Sequence, residues 1–425
     1  MKFEKKLASK SILFTILPPL FFCLLYAWFC QPVFSQVDTL RVATYNLLKF
    51  PGSTGVQRVP AFRTVIHFMK PDILIVQELL SESGYQMFLR EVMNFQEDVY
   101  EAAPFRDGPD TDNGLFYNHT KLQLINSQQI RTDLRDISEY SLKAGEVEFK
   151  FYSLHLKAGS RSSDQNRRLS ETTTLRNHLN TLAEGTDFIV GGDFNMRSSS
   201  ETAYIRLTED QNDNDGKLFD PLNLSGNWHD NRLFSRIHTQ STRSNSFGGG
   251  ASGGLDDRFD LLLISSSLMR HGGMDFLFDS YTALGNDGSR LNDSINAGMN
   301  GSVPDSVADA LLATSDHLPV FADFVFNSVT SVTTRGVART FSLAQNYPNP
   351  FNPTTTIFFT LERPARVSLK VFNLLGQVVT VLVDEQKPKG EYRLQFNGDG
   401  LAGGIYVVQL QAGNLSEVRK MVLIQ

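Results

Sequence analysis

Cysteine is almost missing from this chain: 425 residues contain 2, Cys23 and Cys30, both near the amino terminus. If the segment that carries them is removed, no thiol remains. That excludes a disulfide framework, a thiolate zinc site and a cysteine nucleophile. Positive charge is also scarce, with 40 Lys and Arg against 46 Asp and Glu. A composition of 41% hydrophobic and 20% charged residues excludes coiled-coil, collagen-like and globally disordered classes. The length suits two or three domains, each with its own core.

The amino-terminal segment reads as an export signal. Lys2, Lys5, Lys6 and Lys10 precede an apolar stretch over 12–29, and Val33-Phe34-Ser35 offers a small residue for cleavage before Gln36. Pro18 and Pro19 interrupt the apolar run, which favours cleavage over a retained membrane anchor. Bulky Phe29 argues against lipid attachment at Cys30. Residues 1–35 are therefore expected to be a signal peptide, with no stable membrane insertion of the mature chain. Their removal takes away 4 basic and 1 acidic residue, leaving 36 against 45, a net −9. Residues 341–425 hold 8 basic and 6 acidic residues, so residues 36–340 carry 28 against 39, or −11. Such a block exerts no general pull on phosphate backbones or anionic lipid. An anionic substrate would need local cations, most simply bound metal ions.

Within residues 38–325, short apolar runs at 40–45, 73–76, 149–154, 188–190, 259–264 and 320–326 read as strands. The spacing over 60–69 and 167–182 predicts amphipathic helices. Alternation of this kind predicts a layered α/β domain over 36–326. A polar stretch, 327–340, reads as a linker. Beyond it, runs at 355–361, 366–372, 377–383, 392–396, 405–410 and 418–424, separated by turn signals such as Gly403-Gly404, predict a small all-β immunoglobulin-like sandwich over 341–425. That region holds no His and no Cys, so no catalytic constellation is expected there.

Chemistry is expected instead at the ends of the α/β strands. Asn46, Glu78, His155, Asp193, Asn195, Asp260 and the pair Asp316-His317 all fall there, and strand ends of one sheet system converge on one edge. Singly, Asn46, Asp193 and Asn195 read as turn or cap residues and Glu78 as a solvated strand end. Asp260 is different: a carboxylate heading an apolar strand needs a partner, and His317 is the natural one. Together the set suits a hard-cation site with a general base and an imidazole.

In order, Thr44-Tyr45-Asn46, Gln77-Glu78, Ser153-Leu154-His155, Gly192-Asp193-Phe194-Asn195, Arg258-Phe259-Asp260 and Ser315-Asp316-His317-Leu318-Pro319 resemble the successive motifs of the endonuclease/exonuclease/phosphatase superfamily, the DNase I-like fold. The resemblance implies a four-layer α/β sandwich. It implies Glu78 as principal ligand of a divalent metal, with Asn46 and Asp316 completing the site for Mg²⁺, Mn²⁺ or Ca²⁺. It further implies that Asp193 aligns or deprotonates a water, that Asn195 holds water and phosphate, and that His317, oriented by Asp260, binds the phosphoryl oxygen. His155 would assist the phosphate or the leaving oxygen. The implied reaction is in-line attack of water on a phosphoester without a covalent intermediate.

Arg161, Arg167, Arg168 and Arg197 could contact substrate phosphates, although a solvated helix face explains the first three equally well. The glycine-rich run 248–254 lacks the following Gly-Lys-Ser/Thr of a phosphate loop and reads as a surface loop able to border the site. The polar stretch 285–304 is expected to shape access.

Residues 341–425 have a second resemblance. The run from Phe341 through Asn346-Tyr347-Pro348-Asn349-Pro350 to Thr355, with Gly403-Gly404-Ile405-Tyr406 and the basic Arg419-Lys420, is similar to a type A sorting domain of the type IX secretion system. That implies export across both membranes, engagement of the secretion machinery, and release or surface attachment. The leading expectation is an extracellular metal-dependent endonuclease acting on nucleic acid. A sphingomyelinase-like or other phosphoesterase on lipid or small-molecule esters, and a catalytically silent surface-binding protein, stay open, as do oligomeric state and the removal of the sorting domain.

Overall fold

The computed structural model describes residues 39–269, 273–277, 280–326, 341–346, 349–361, 363–413 and 415–424. The expected signal peptide, 1–35, and the expected linker, 327–340, lie outside the described residues. In chain order the first block contains β1 (Thr39–Phe50), β2 (Ile73–Leu79), β3 (Tyr100–Ala102), β4 (Asp112–Asn118), β5 (Gln123–Ile130), β6 (Ile137–Ala144), β7 (Val147–His155), β8 (Phe188–Asp193), β9 (Leu218–Phe219), β10 (Asp260–Ser265), β11 (Met274–Phe276), β12 (Thr282–Ala283) and β13 (Val320–Phe326). One sheet runs β11-β13-β1-β2-β4-β3 with β12 beside β13, and the other runs β5-β6-β7-β8-β10-β9.

The strands that read as unbroken apolar runs are buried on both faces, and the side-chain period of two divides their residues between layers. From β1, Leu40 and Val42 join Ile73, Ile75, Phe149, Phe151, Ile189, Leu262 and Ile264 in the core between the sheets. The alternate residues Ala43 and Tyr45, with Leu74 and Val76, pack outward on helices Gly55–Met69, Glu82–Phe88 and Asp305–Thr314 through Phe62, Val65, Phe88 and Leu311. On the far side Leu154, Val190, Leu261 and Leu263 meet helices Ser162–Leu179 and Thr202–Thr208 through Leu175, Leu179, Ala203 and Leu207. The result is the expected sandwich of helix, sheet, sheet and helix.

Several boundaries differ from expectation. The first helix starts at Gly55, five residues before Pro60, so the proline lies inside the helix rather than opening it. The second starts at Ser162, where Asp164 accepts from the Arg161 backbone N–H at 3.2 Å, and ends at Leu179, after which Asn180 is taken up by Arg176 and Gly216. Strand β1 runs through Asn46 to Phe50 and β2 through Glu78 to Leu79, so these two residues lie within strands rather than after them.

Edge strand β5 and its neighbour β6 carry little apolar pattern, yet β6 buries a charge. Glu139 is 1% exposed; His178 Nε2 lies 2.6 Å from its Oε2, and the Lys150 ammonium donates to Oε1. Burial alone would raise this carboxyl, but the bonds from His178 and Lys150 outweigh it and hold it at about 2, below its ordinary 4.5. A depressed carboxyl stabilises the folded state above its unfolded pKa and loses that contribution as pH falls from about 4.5 toward 2. Glu139→Gln is expected to cost about 1–3 kcal/mol near neutrality. In thermal melts its deficit relative to the parent should shrink below about pH 4; a deficit constant across pH would show that the charge is not what stabilises.

The second block has strands β14 (Phe341–Leu343), β15 (Thr354–Leu361), β16 (Ala365–Asn373), β17 (Val378–Lys387), β18 (Gly390–Asn397), β19 (Gly404–Ala412) and β20 (Leu415–Leu423). They form antiparallel sheets β14-β15-β18 and β17-β16-β19-β20 around a core that includes Ile357, Phe359, Val367, Leu369, Val408 and Leu410. This is the expected small all-β sandwich. Among the described residues no helix is long and apolar enough to cross a membrane.

Candidate active site

Strand register brings the predicted residues together. In the first sheet β1 and β2 run parallel, with Asn46 beside Gln77 and hence next to Glu78. In the second, parallel β7 and β8 set His155 beside Asp193, and antiparallel β10 sets Asp260 against Asp193. A buried polar link joins the two sheets just beneath: Thr44 Oγ1 donates to Gln77 Oε1 at 3.2 Å, and Gln77 Nε2 donates to Ser153 Oγ at 3.1 Å. The loop between helix Asp305–Thr314 and β13 delivers Asp316 and His317, and Ser315 ties it down by donating to the Asn46 carbonyl at 2.7 Å.

Close approach of β7 and β8 depends on Gly192. Its φ is +141°, and a Cβ there would lie 1.9 Å from the Leu154 carbonyl oxygen. Glu78 and Asn195 also hold left-handed φ values, 61° and 52°, a conformation that costs non-glycine residues energy and concentrates at functional sites.

The side chains line a cavity of about 310 Å³, whose walls include Glu78, His155, Asp193, Asn195, Arg197, Asp316 and His317. Asn46 and Asp260 are fully buried behind this wall. Asn46 Nδ2 donates to Glu78 Oε1 at 3.1 Å and to Asp193 Oδ2 at 3.2 Å. Asp193 Oδ1 accepts from the Asn195 backbone N–H at 3.0 Å, while His155 Nε2 and His317 Nε2 stand 3.4 and 3.7 Å from its Oδ2. Asp260 Oδ2 lies 2.7 Å from His317 Nδ1, the pairing that the sequence suggested.

Burial pushes the Asp193 carboxyl up to about 7; His317 pulls against this, and the neighbouring Asp260 and Glu78 add to it. Burial would lower His317, but Asp260, Asp193 and Asp316 overcome it and hold the imidazole well above its ordinary value. His155 is driven well below the usual range by burial, with Arg135 and His317 adding to the effect. The arrangement can therefore present a charged and a neutral imidazole to one carboxylate.

Glu78 and Asp316 supply hard carboxylate oxygens, while Asn46 turns its NH₂ to Glu78 and Asp193 and its Oδ1 accepts from Leu48 N at 3.0 Å. Glu78 Oε2 accepts from Lys49 N at 3.0 Å and Asp316 Oδ2 from Ala251 N at 2.6 Å, while buried Asp316 Oδ1 has no hydrogen-bond partner among the described residues. A free carboxylate oxygen in such company fits a hard divalent cation. Among the described residues, the set of three His, Asp or Glu with donor atoms within 4.8 Å of one another is a different one, His229, Asp256 and Asp257. It flanks Arg197, whose Nη2 lies 3.5 Å from Asp257 Oδ2.

Other expectations are corrected. Arg168 does not reach the cavity: it is buried, pairs with Glu201 at 2.6 Å and donates to the Lys157 and Gly159 carbonyls. Arg161 and Arg167 are likewise not among the cavity walls, and neither is any residue of 285–304, where Ile295 and Val303 join the helix-side core instead. The glycine-rich run does border the site through Gly249, Gly250 and Ala251. At Gly250 a Cβ would stand 2.8 Å from Asp316 Cγ, so this position needs glycine for the approach. Sequence reasoning missed Gln240 and Lys49, which also line the wall. Gln240 lies in an aperiodic stretch with no strand or helix signal to flag it.

Residues 345–425 match the family model of the secretion system C-terminal sorting domain. The carboxy-terminal sandwich is such a domain, and it marks the chain for export to a secreted or surface-attached location. No curated protein matches the sequence. Solved structures similar to it include TDP2 of D. rerio in complex with a single-strand DNA product, at 14% identity over 67% of this chain and 98% of that one, with a TM-score of 0.45. Human nocturnin with bound sulfate is similar at 19% identity over 68% and 96%, TM-score 0.43. An endonuclease/exonuclease/phosphatase family protein from Bacteroides thetaiotaomicron is similar at 19% over 69% and 97%, TM-score 0.42.

Proposed function

We propose that this exported protein is a metal-dependent hydrolase of phosphodiester bonds, with extracellular nucleic acid as its substrate. The observation that carries this reading is the buried Asp260–His317 pair, 2.7 Å apart, facing Asp193 and His155 across a cavity that also holds Glu78 and Asp316. Asp193, held by Asn46 and Asn195, orients the attacking water and takes its proton, and its pKa of about 7 suits a base working near neutral pH. Charged His317, fixed through Nδ1, offers Nε2–H to a phosphoryl oxygen as negative charge builds there. His155, neutral and 3.4 Å from Asp193, donates toward the departing oxygen. A divalent cation held by Glu78, Asp316 and Asn46 would supply Lewis-acid stabilisation of the phosphoryl charge. Asn195 and Arg197 bind the phosphate, and Arg197 adds a cation to an otherwise acidic domain.

The test is an assay of the full chain with Mg²⁺, Mn²⁺ or Ca²⁺ on plasmid DNA, single-stranded DNA, RNA, sphingomyelin and a simple phosphodiester. Cleavage of polynucleotides is expected. Cleavage of sphingomyelin alone would move the substrate to lipid, and no cleavage of any substrate would remove the enzymatic reading. Deletion of residues 341–425 is expected to leave active protein in the periplasm and none in the medium or at the surface; unchanged secretion by cell fractionation would refute the role of this domain as the export signal.

A further inference from the structure

We propose that Gln240 is an internal place-holder for substrate: its side-chain amide occupies the phosphoryl-facing nitrogen of His317 and bridges to Asp316, so a substrate must displace it to bind. The inference rests on reading the cavity as a phosphoryl site. Because Asp260 engages Nδ1, His317 has one ring nitrogen left for a ligand, Nε2. Gln240 Nε2 stands 2.6 Å from that atom and 3.4 Å from Asp316 Oδ2. An imidazole nitrogen has a single bonding direction, whether as N–H or as lone pair, so Gln240 and a phosphoryl oxygen exclude each other there. The NH₂ end donates to a neutral Nε2 and reaches Asp316; beside a protonated ring the amide flips to present its oxygen and gives up the contact to Asp316.

The backbone around Gln240 is held fast. Its N–H donates to the Asp257 carbonyl at 3.1 Å, and its own carbonyl accepts from Asp256 and Asp257 N–H groups at 2.9 Å each. Displacement is therefore a side-chain rotation, and its cost is one amide hydrogen bond to an imidazole plus a weaker one to a carboxylate. That cost is subtracted from the affinity of every phosphoryl ligand. As a fixed cost it lowers the affinity of a lone phosphate and of a polymer that also engages Arg197 by the same factor.

The test measures binding of inorganic phosphate to the full chain by titration calorimetry, together with kcat and KM on the substrate that the cleavage assay identifies. Gln240→Ala, and Gln240→Asn with its shorter reach, are expected to tighten phosphate binding about fivefold. KM should fall by a similar factor for a small phosphodiester and for a polynucleotide. In a His317→Ala background the Gln240 substitutions should have no effect on phosphate affinity. Phosphate affinity unchanged or weakened in both Gln240 variants, with melting temperatures near the parent's, overturns the place-holder while leaving the phosphoryl site standing. Absence of phosphate binding in parent and variants alike overturns the phosphoryl reading and the place-holder with it.

Discussion

Asp193→Asn is expected to lower kcat on a phosphodiester substrate about a thousandfold, within the range that a positioned general base contributes, while raising thermal stability. The two effects have one cause. Asp193 is 2% exposed and lies among Asp260, Glu78 and two imidazoles. Its carboxyl is raised to about 7, first by burial and then by its acidic neighbours against the pull of His317. A carboxyl raised in the folded state withdraws stability as pH climbs from its ordinary 3.8 through about 7, so near pH 8 the fold carries the full penalty of the buried anion. Asparagine keeps the shape and the acceptor oxygen for the Asn195 N–H, gives up the bond that Oδ2 accepts from Asn46, and cannot take a proton from water. Melts in chelator at pH 8 and at pH 5 should show the variant gaining most at the higher pH. Turnover within tenfold of the parent would remove Asp193 from the chemistry, and loss of turnover with a collapsed melt would make its role structural.

The parts of the fold that could be read from sequence are those where one physical signal dominates. Residues 73–76 and 188–190 are unbroken apolar runs because β2 and β8 are buried on both faces there. Strand β5, Gln-Leu-Ile-Asn-Ser-Gln-Gln-Ile, alternates exposed and half-buried positions at a sheet edge and carries no comparable signal. The site residues were visible because strand ends concentrate chemistry, and because the carboxylate of Asp260 could not sit among apolar neighbours unpaired. Gln240 had neither cue: it meets His317 across 77 residues of sequence, through two irregular segments whose approach only the packed fold defines. Gly250 was visible as glycine but not as the residue that lets backbone pass beside Asp316.

Arg258→Ala should be among the most damaging single substitutions within residues 39–326, costing about 3–5 kcal/mol, the range seen when one member of a buried ion pair is removed. Arg258 meets Asp220 through two hydrogen bonds, Nη1 to Oδ2 at 2.6 Å and Nη2 to Oδ1 at 2.9 Å, with the side chains 1% and 2% exposed. The guanidinium also stacks 5.0 Å from the centroid of the buried Trp228 ring. Burial works against its charge, and the attraction of Asp220 reverses that and holds it raised. Alanine would leave the Asp220 carboxylate out of water with only Tyr204 Oη, at 3.1 Å, and the Leu222 N–H, at 3.0 Å, still donating to it. The melting temperature should fall on the order of 10 °C. Much of that loss is the uncompensated carboxylate rather than the pair's net worth, so Arg258→Met combined with Asp220→Leu should recover more than half of it. The damage should also reach the chemistry. Phe259, next in sequence, accepts the Phe194 N–H at 2.8 Å, and Asp260 follows it, so a shift at the head of β10 moves the carboxylate that orients His317. A double variant as unstable as Arg258→Ala would show that stacking on Trp228, not charge pairing, is what the guanidinium contributes.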